Sequence, residues 1–140
     1  MSNVNHIAFL KPKYFKKIIN KEKTIESRWY KYKKPPFQQI SVNDILYLKE
    51  SGKPVSAKAN VSKVLFFDNL NPKKIKQLLK KYGKNIGVEM SFFNEIKDKK
   101  FCILVFFKNL RNIKPFEINK SGYGNRVAWI VINDISKIKI

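Results

Sequence analysis

The chain has 140 residues, of which 30 are Lys or Arg and 10 are Asp or Glu, so its formal net charge at pH 7 is +20. This length suits a single domain with a hydrophobic core, which we predict over residues 1–140. No apolar run reaches the 18 or so residues of a membrane span and the N-terminus lacks a signal-peptide layout, so we expect a cytoplasmic protein without membrane association.

The first elements predicted are a strand, a helix and a second strand. Residues 4–9 (VNHIAF) form the strand, and Pro12 suits the first turn of a helix that continues to about Asn20. The segment from Thr24 to Tyr30 alternates polar and apolar residues and predicts the second strand. Pro35 and Pro36 then interrupt the chain.

The next segments predict two strands followed by a helix. Residues 44–50 (DILYLKE) form one strand, a turn with Gly52 follows, and residues 55–67 form a long strand or a bent pair. Asn71-Pro72 begins a helix through Tyr82, which we expect Gly83 to end.

The last third of the chain predicts a short helix and two strands. Residues 101–107 (FCILVFF) are nearly all apolar and indicate a strand buried on both faces. A long connection follows, and residues 127–132 (VAWIVI) form the closing strand, in which we expect Trp129 to belong to the core. The lone cysteine, Cys102, excludes an internal disulfide and is expected to be a buried, inert thiol.

Glu89 has an unexpected place in the pattern. A helix from about Val88 to Ile96 would put Glu89, Phe92 and Ile96 on one face, so that the carboxylate points where the apolar side chains point. A carboxylate on an inward face must be paired or lie at the rim of a cavity. The alternative is that Glu89 lies in water at the frayed start of the helix.

The segment KEKTIESRW, Lys21 to Trp29, brings a carboxylate between two cations. In an alternating strand Glu26 shares a face with Thr24 and Arg28, while Trp29 lies on the opposite face. A surface ion pair without function is the plain interpretation of that spacing. The order of elements around the segment favours a functional interpretation.

That order, with Lys23, Thr24, Glu26 and Arg28 in a K-T-x-E-x-R pattern, resembles the ASCH family of PUA-like domains. Two positions depart from the family: Glu22 stands where the turn is usually flanked by glycine, and Asn43 replaces the Gly before Asp44. Asparagine tolerates the left-handed conformation that such a turn requires. The resemblance implies an α+β fold, a small mixed β-barrel with flanking helices, whose motif lines a cleft for a nucleotide or nucleic acid.

The charge surplus favours a polyanionic partner, because an AT-rich genome explains Lys over Arg but not the scarcity of Asp and Glu. We predict a monomer that binds nucleic acid, RNA rather than DNA, without a cofactor. Within the cleft, Glu26 would accept a base amino group while the two cations hold phosphate or a base carbonyl. The predicted binding residues are Lys23, Glu26, Arg28, Trp29, Tyr30, Lys31, Lys33, Lys34, Tyr123 and Arg126, of which the rings would stack on bases and the surface cations contact phosphates.

The alternative is an enzyme that uses the same cleft. The resemblance implies a small amidohydrolase of acylated cytidine, with Lys23, Glu26 and Glu89 as candidate catalytic residues. Glu26 stands where such enzymes carry a second threonine, and we expect a carboxylate so near to raise the pKa of Lys23 and weaken it as a base or nucleophile. His6 is the only histidine and Cys102 has no second soft ligand, so we expect no metal site.

Overall fold

A computed structural model describes residues 4–124 and 126–140. The strands are Asn5–Leu10 (β1), Ile25–Tyr30 (β2), Ile45–Glu50 (β3), Val55–Phe67 (β4), Phe101–Phe116 (β5) and Trp129–Ile132 (β6). The α-helices are Pro12–Ile19 (α1), Pro72–Ile86 (α2) and Phe93–Ile96 (α3), and single 3₁₀ turns occupy Met90–Phe92 and Ile135–Lys137. No helix in the described part of the chain is long and apolar enough to cross a membrane.

The six strands form one mixed sheet in the order β2-β5-β4-β3-β1-β6. β1 and β3 pair in parallel, and the other neighbours pair antiparallel. The sheet curls into a half-barrel with β2 and β6 as its two edges, so the predicted α+β fold with a small mixed barrel is confirmed.

Three apolar clusters pack against this sheet. The first, around Leu46, Leu48 and Ile103, also contains Ile18 of α1. The second joins α2 and α3 to the other side of β2 and β5, and it includes Cys102, whose burial raises the pKa of its thiol. The third cluster packs residues of the C-terminal segment, among them Ile118 and Ile138, against Ile7 of β1. The buried, unpaired thiol expected for Cys102 is therefore present.

Helix α2 ends at Ile86 with Gly87 as its cap, and not at Gly83, so the predicted end was wrong. Gly83 is buried inside the helix, and Ile86 continues the apolar stripe for another turn. Gly87 adopts φ 85°, the left-handed conformation that ends many helices, and its amide donates to Gly83 O over 2.9 Å.

The predicted helix over residues 88–96 was also wrong. A 3₁₀ turn and the four residues of α3 replace it, and Glu89 lies in extended conformation before the turn with its side chain exposed. The expected inward position of Glu89 required one continuous helix from Val88. Because the helical turns begin only at Met90, Glu89 lies in solvent, which was the alternative to an inward position.

β5 is much longer than the apolar run that predicted it. It continues through the more polar segment 108–116, which pairs with the first half of β4. Asn109 adopts φ 55° close to an irregularity in this pairing. The predicted long connection therefore begins only after Phe116. Asn43 also adopts a left-handed φ, 77°, so its turn before Asp44 forms without glycine.

Candidate functional site

A cavity of about 620 Å³ opens between α1, β2, the ends of β1 and β3, and the segment that follows α2. Its floor holds the charged residues of the motif, and its walls carry aromatic rings. Residues that line it include Phe9, Tyr14, Lys23, Glu26, Ser27, Arg28, Trp29, Tyr30, Lys49, Phe92, Glu95, Lys120 and Ala128. A volume of this size is typical of small-molecule sites.

Lys23 lies at the floor of the cavity with only 2% of its surface exposed. Its Nζ donates to Ile25 O over 2.8 Å and to Ile86 O over 2.7 Å, and it pairs with Glu26 Oε1 over 3.2 Å. Three acceptors therefore use the three N–H groups of the ammonium. Because Ile86 is the last residue of α2, Lys23 also neutralises the carbonyl end of that helix.

Glu26 joins the two cations of the motif. Its Oε1 accepts from Lys23 and from the backbone N–H of Ser27, while its Oε2 lies 3.2 Å from Nη2 of Arg28. The Ser27 N–H is thereby satisfied by a side chain and not by a neighbouring strand, as an edge strand requires. Lys23 and Glu26, which are buried, and Arg28, which is half-buried, form one ion network that we call the motif triad.

Arg28 spans the gap between the two edges of the half-barrel. Its Nη2 donates to Phe9 O at the end of β1 over 3.1 Å, and its Nη1 donates to Ala128 O before β6 over 3.3 Å. The guanidinium carbon lies 5.0 Å from the ring centroid of Trp129, a core residue as expected. The Nε is buried without a hydrogen-bond partner among the described residues.

The triad changes the protonation equilibria of its members. Burial lowers the pKa of Lys23, and the attraction of Glu26 only partly opposes that effect. The expected rise in the pKa of Lys23 was therefore wrong, because desolvation exceeds the charge of the neighbour. Burial raises the pKa of Glu26, but Lys23 and Arg28 together outweigh it and leave that pKa below its usual value.

Aromatic side chains form the walls of the cavity. Tyr14 from α1 lies with its ring centroid 5.6 Å from Nζ of Lys23, and Phe92 closes the side next to α3. Trp29 lines the cavity but is only 9% exposed, and its indole N–H donates to Ser27 Oγ over 3.0 Å. Trp29 is therefore a wall of the site and not the exposed stacking ring that we predicted. Tyr30 is half-buried and donates from its hydroxyl to Pro35 O.

Three solved structures share this arrangement of strands and helices. They are crystal structures of ASCH from Zymomonas mobilis, of its Tyr-to-Phe variant and of its Ser-to-Ala variant, with TM-scores of 0.68, 0.70 and 0.71 and identities of 13%, 12% and 13%. They cover 90%, 95% and 95% of this chain and 85%, 93% and 91% of their own length. The chain has the ASCH fold. A comparison of its sequence with protein-family models and with curated proteins finds no match.

The other predicted binding residues lie outside the cavity of this ASCH fold. Lys31, Lys33 and Lys34 are exposed, and Lys31 pairs with Asp98 over 3.0 Å. Nζ of Lys34 lies 6.0 Å from the ring centroid of Tyr30, so this basic segment borders the cavity wall. Tyr123 and Arg126 are exposed on the loop that precedes β6, and neither lines the cavity.

Glu89, the predicted acid of the cleft, does not line it. It borders a separate shallow depression with Lys17, Lys21 and Lys84. The carboxylate that does lie at the rim is Glu95 of α3, which the sequence pattern did not single out. The difference follows from the broken helix, which turns Glu89 outward and brings the next acidic residue to the cavity.

Three lysines that were not among the predicted binding residues also line the cavity of the ASCH fold. Lys49 is the second-last residue of β3 and is buried, Lys11 is exposed just before α1, and Lys120 lies in the loop before β6. A signal was present for the first, because Lys49 follows Ile45 and Tyr47 at the alternating spacing of a strand face. Nothing local distinguishes Lys120 from the other lysines of the chain.

Proposed function

We propose that this protein is a nucleic-acid-binding module, directed to RNA or another single strand, whose cavity receives a nucleotide or modified base. The observation that supports this most is the joint occurrence, in one cavity, of aromatic walls, a fixed polar floor and lysines at the rim. A net charge of +20 supplies the general attraction to a polyanion.

A single strand suits the cavity better than a duplex. A base inside a duplex is stacked and paired, whereas an unpaired base can leave the strand and enter a pocket. Glu26 and Ser27 on the floor present hydrogen-bonding groups, and Tyr14 and Phe92 present rings to the faces of a base. The exposed Tyr32, Tyr123 and Arg126 and the segment Lys31 to Lys34 would then contact the flanking strand.

Binding is favoured over amidohydrolysis by the state of Lys23. All three of its N–H groups have acceptors within the fold, and Glu89 faces another depression. A nucleophile or general base would have to leave these contacts before it could act on a substrate. The proposed role of Lys23 is therefore to support the floor of the site.

The test is fluorescence anisotropy with single- and double-stranded RNA and DNA at about 50 and 200 mM salt, beside a hydrolysis assay on acylated cytidine. We expect the single strands, RNA above all, to bind most tightly and every affinity to fall steeply with salt. Equal affinity at both salt concentrations, or no binding at all, contradicts the proposal. Turnover of acylated cytidine would favour the enzyme instead.

A cavity-filling variant separates base recognition from general attraction. Ala128 is exposed at the mouth, so Ala128→Trp should block entry without disturbing the core. We expect it to lose selectivity among single-stranded sequences or modified bases while keeping its salt-dependent affinity, because phosphate contact and base contact are separate contributions. Asn112→Trp, at an exposed position of β5 away from the cavity, is the matched control.

A further inference from the structure

Lys49 is a buried cation without a counter-ion. Only 5% of its surface is exposed, yet among residues 4–124 and 126–140 no carboxylate lies within salt-bridge distance and no acceptor bonds its Nζ. Its nitrogen is not sealed from solvent, and the residue lines the cavity. An ammonium group at the wall of a cavity, with no partner in the fold, has its N–H donors available to an anion that enters the cavity.

The fold directs this side chain toward the cavity. Lys49 pairs in register with Phe9 of the parallel strand β1, and its Nζ lies 5.1 Å from the centroid of the Phe9 ring. The register between β1 and β3 is unbroken, so Lys49 keeps the regular alternation of its strand and shares a face with Tyr47. The register shift beside Lys49 adds a residue to β4 and not to β3.

Lys120 adds a second positive charge at the same ring. Its Nζ lies 5.8 Å from the Phe9 centroid, and it too lines the cavity without a salt-bridge partner in the described part of the chain. Burial lowers the pKa of Lys49, Lys120 lowers it further, and the exposed Glu117 opposes them beyond salt-bridge distance. The nearby Glu50 is already paired with Lys53.

These two lysines differ from the motif lysine on the cavity floor. Lys23 has three acceptors and is matched by Glu26, whereas Lys49 and Lys120 keep free N–H donors. Arg28 connects the two regions, since it contacts Glu26 and the carbonyl of Phe9. A ligand that spans the cavity would thus meet a charge-balanced floor at one end and unpaired cations at the other.

We propose that Lys49 and Lys120 form a phosphate subsite that holds the phosphate of a nucleotide whose base lies against the aromatic walls. This inference rests on the proposed nucleotide-binding function and assigns the orientation of the ligand within the cavity. Phosphate oxygens accept hydrogen bonds and carry the negative charge that would balance the two ammonium groups. The phosphate could be a terminal monoester or the diester of a strand.

The test uses isothermal titration calorimetry to compare each of the four ribonucleosides with its 5′-monophosphate. A dinucleotide that has no terminal phosphate, and whose only phosphate is the internal diester, is the diester probe. For the parent protein we expect at least one monophosphate to bind about tenfold or more tightly than its nucleoside. Lys49→Gln should remove most of that difference and leave the nucleoside affinity nearly unchanged. Lys120→Gln, at an exposed loop position, should remove part of it even if Lys49→Gln folds poorly.

The matched control is Lys58→Gln, because Lys58 also lies over a ring, 5.8 Å from the Tyr47 centroid, but does not line the cavity. A loss of the phosphate increment in this control equal to that of Lys49→Gln would overturn the subsite. A phosphate increment that survives in both the Lys49 and Lys120 variants would overturn the subsite as well.

If the parent binds nucleosides and nucleotides equally, the subsite fails while the proposed function stands. If it binds no nucleoside, nucleotide or strand, the proposed function fails. Preference for the dinucleotide over the monophosphate would assign the subsite to a diester.

Discussion

The indole N–H of Trp129 donates to Nδ1 of His6 over 3.0 Å in the interior of the half-barrel. Nδ1 is thus an acceptor, so Nε2 carries the proton and donates to Oδ2 of Asp44 over 2.9 Å. Asp44 also accepts from the backbone N–H groups of Ser41 and Val4. The chain of bonds holds His6 in its neutral form, in contact with the ring on which Arg28 stacks.

We expect the protein to lose stability as the pH falls below about 6.5, the ordinary pKa of histidine. Burial lowers the pKa of His6 in the fold, and the bond to Asp44 opposes this only in part. Below pH 6.5 the unfolded chain therefore binds more protons than the folded chain, and the free energy of unfolding decreases until the folded pKa is reached. The slope is at most about 1.4 kcal/mol per pH unit.

Urea unfolding between pH 7.5 and 5.0 measures this effect. His6 is the only histidine, and the carboxylates with shifted pKa values, those of Glu26, Asp98 and Asp134, are all shifted downward, below this window. A stability that stays constant or rises toward pH 5 would contradict the neutral assignment of His6.

Glu26→Gln should destabilise the fold by about 3 kcal/mol, because it leaves Lys23 and Arg28 without their shared carboxylate inside the protein. Chemical denaturation measures the loss. Glu50→Gln, which breaks the pair with the exposed Lys53, should cost no more than about 1 kcal/mol. Equal effects of the two substitutions would show that the motif triad contributes no more than a surface pair.

Arg28→Lys should loosen the junction between β1 and β6 although the charge is retained. A lysine cannot donate from two nitrogens to Phe9 O and Ala128 O at once, as the planar guanidinium does. We expect faster hydrogen exchange at the amide of Phe9, which donates to Ala128 O, and unchanged exchange at Val105, where β5 lies between β2 and β4. Arg111→Lys, in the exposed second half of β5, is the control and should leave the Phe9 amide unaffected.

Two glycines near the C-terminal end of α2, one inside the helix and one just after it, should respond in opposite directions to alanine. At Gly83 the nearest atom to an added Cβ is Val88 O at 3.6 Å, an ordinary contact, so Gly83→Ala should stabilise the helix by up to about 1 kcal/mol. Gly87 has φ 85°, and its Cβ would lie 3.3 Å from side-chain carbons of Lys17 and Lys23. Gly87→Ala should therefore cost about 1 kcal/mol or more. Thermal unfolding measures both, and the reverse order would place the helix end at Gly83.

Local patterns in the sequence were sufficient to predict much of the secondary structure. The alternation from Thr24 to Tyr30 predicted the side of the strand on which Glu26 and Arg28 lie, because side chains of a strand alternate whatever it packs against. The barrel was expected for another reason, because the order of elements around the motif resembles the ASCH family. The errors occurred where local signals are weak: the polar half of β5 is a strand only because β4 pairs with it, and Gly83 lies within a helix because Ile86 still has a core to contact.

The sequence by itself determined the charge of this protein, the alternating strand of its motif and the succession of its elements, since these depend on neighbours in the chain. Only the tertiary structure decided which lysines are available to a ligand. Lys23 is occupied because α2 ends beside it and presents Ile86 O, 63 residues away. Lys49 has no salt-bridge partner within residues 4–124 and 126–140, because the neighbouring Glu50 pairs with Lys53. The distance along the sequence does not predict which acceptor or counter-ion from a distant segment will reach a lysine. That partner depends on how the helices and strands pack against one another.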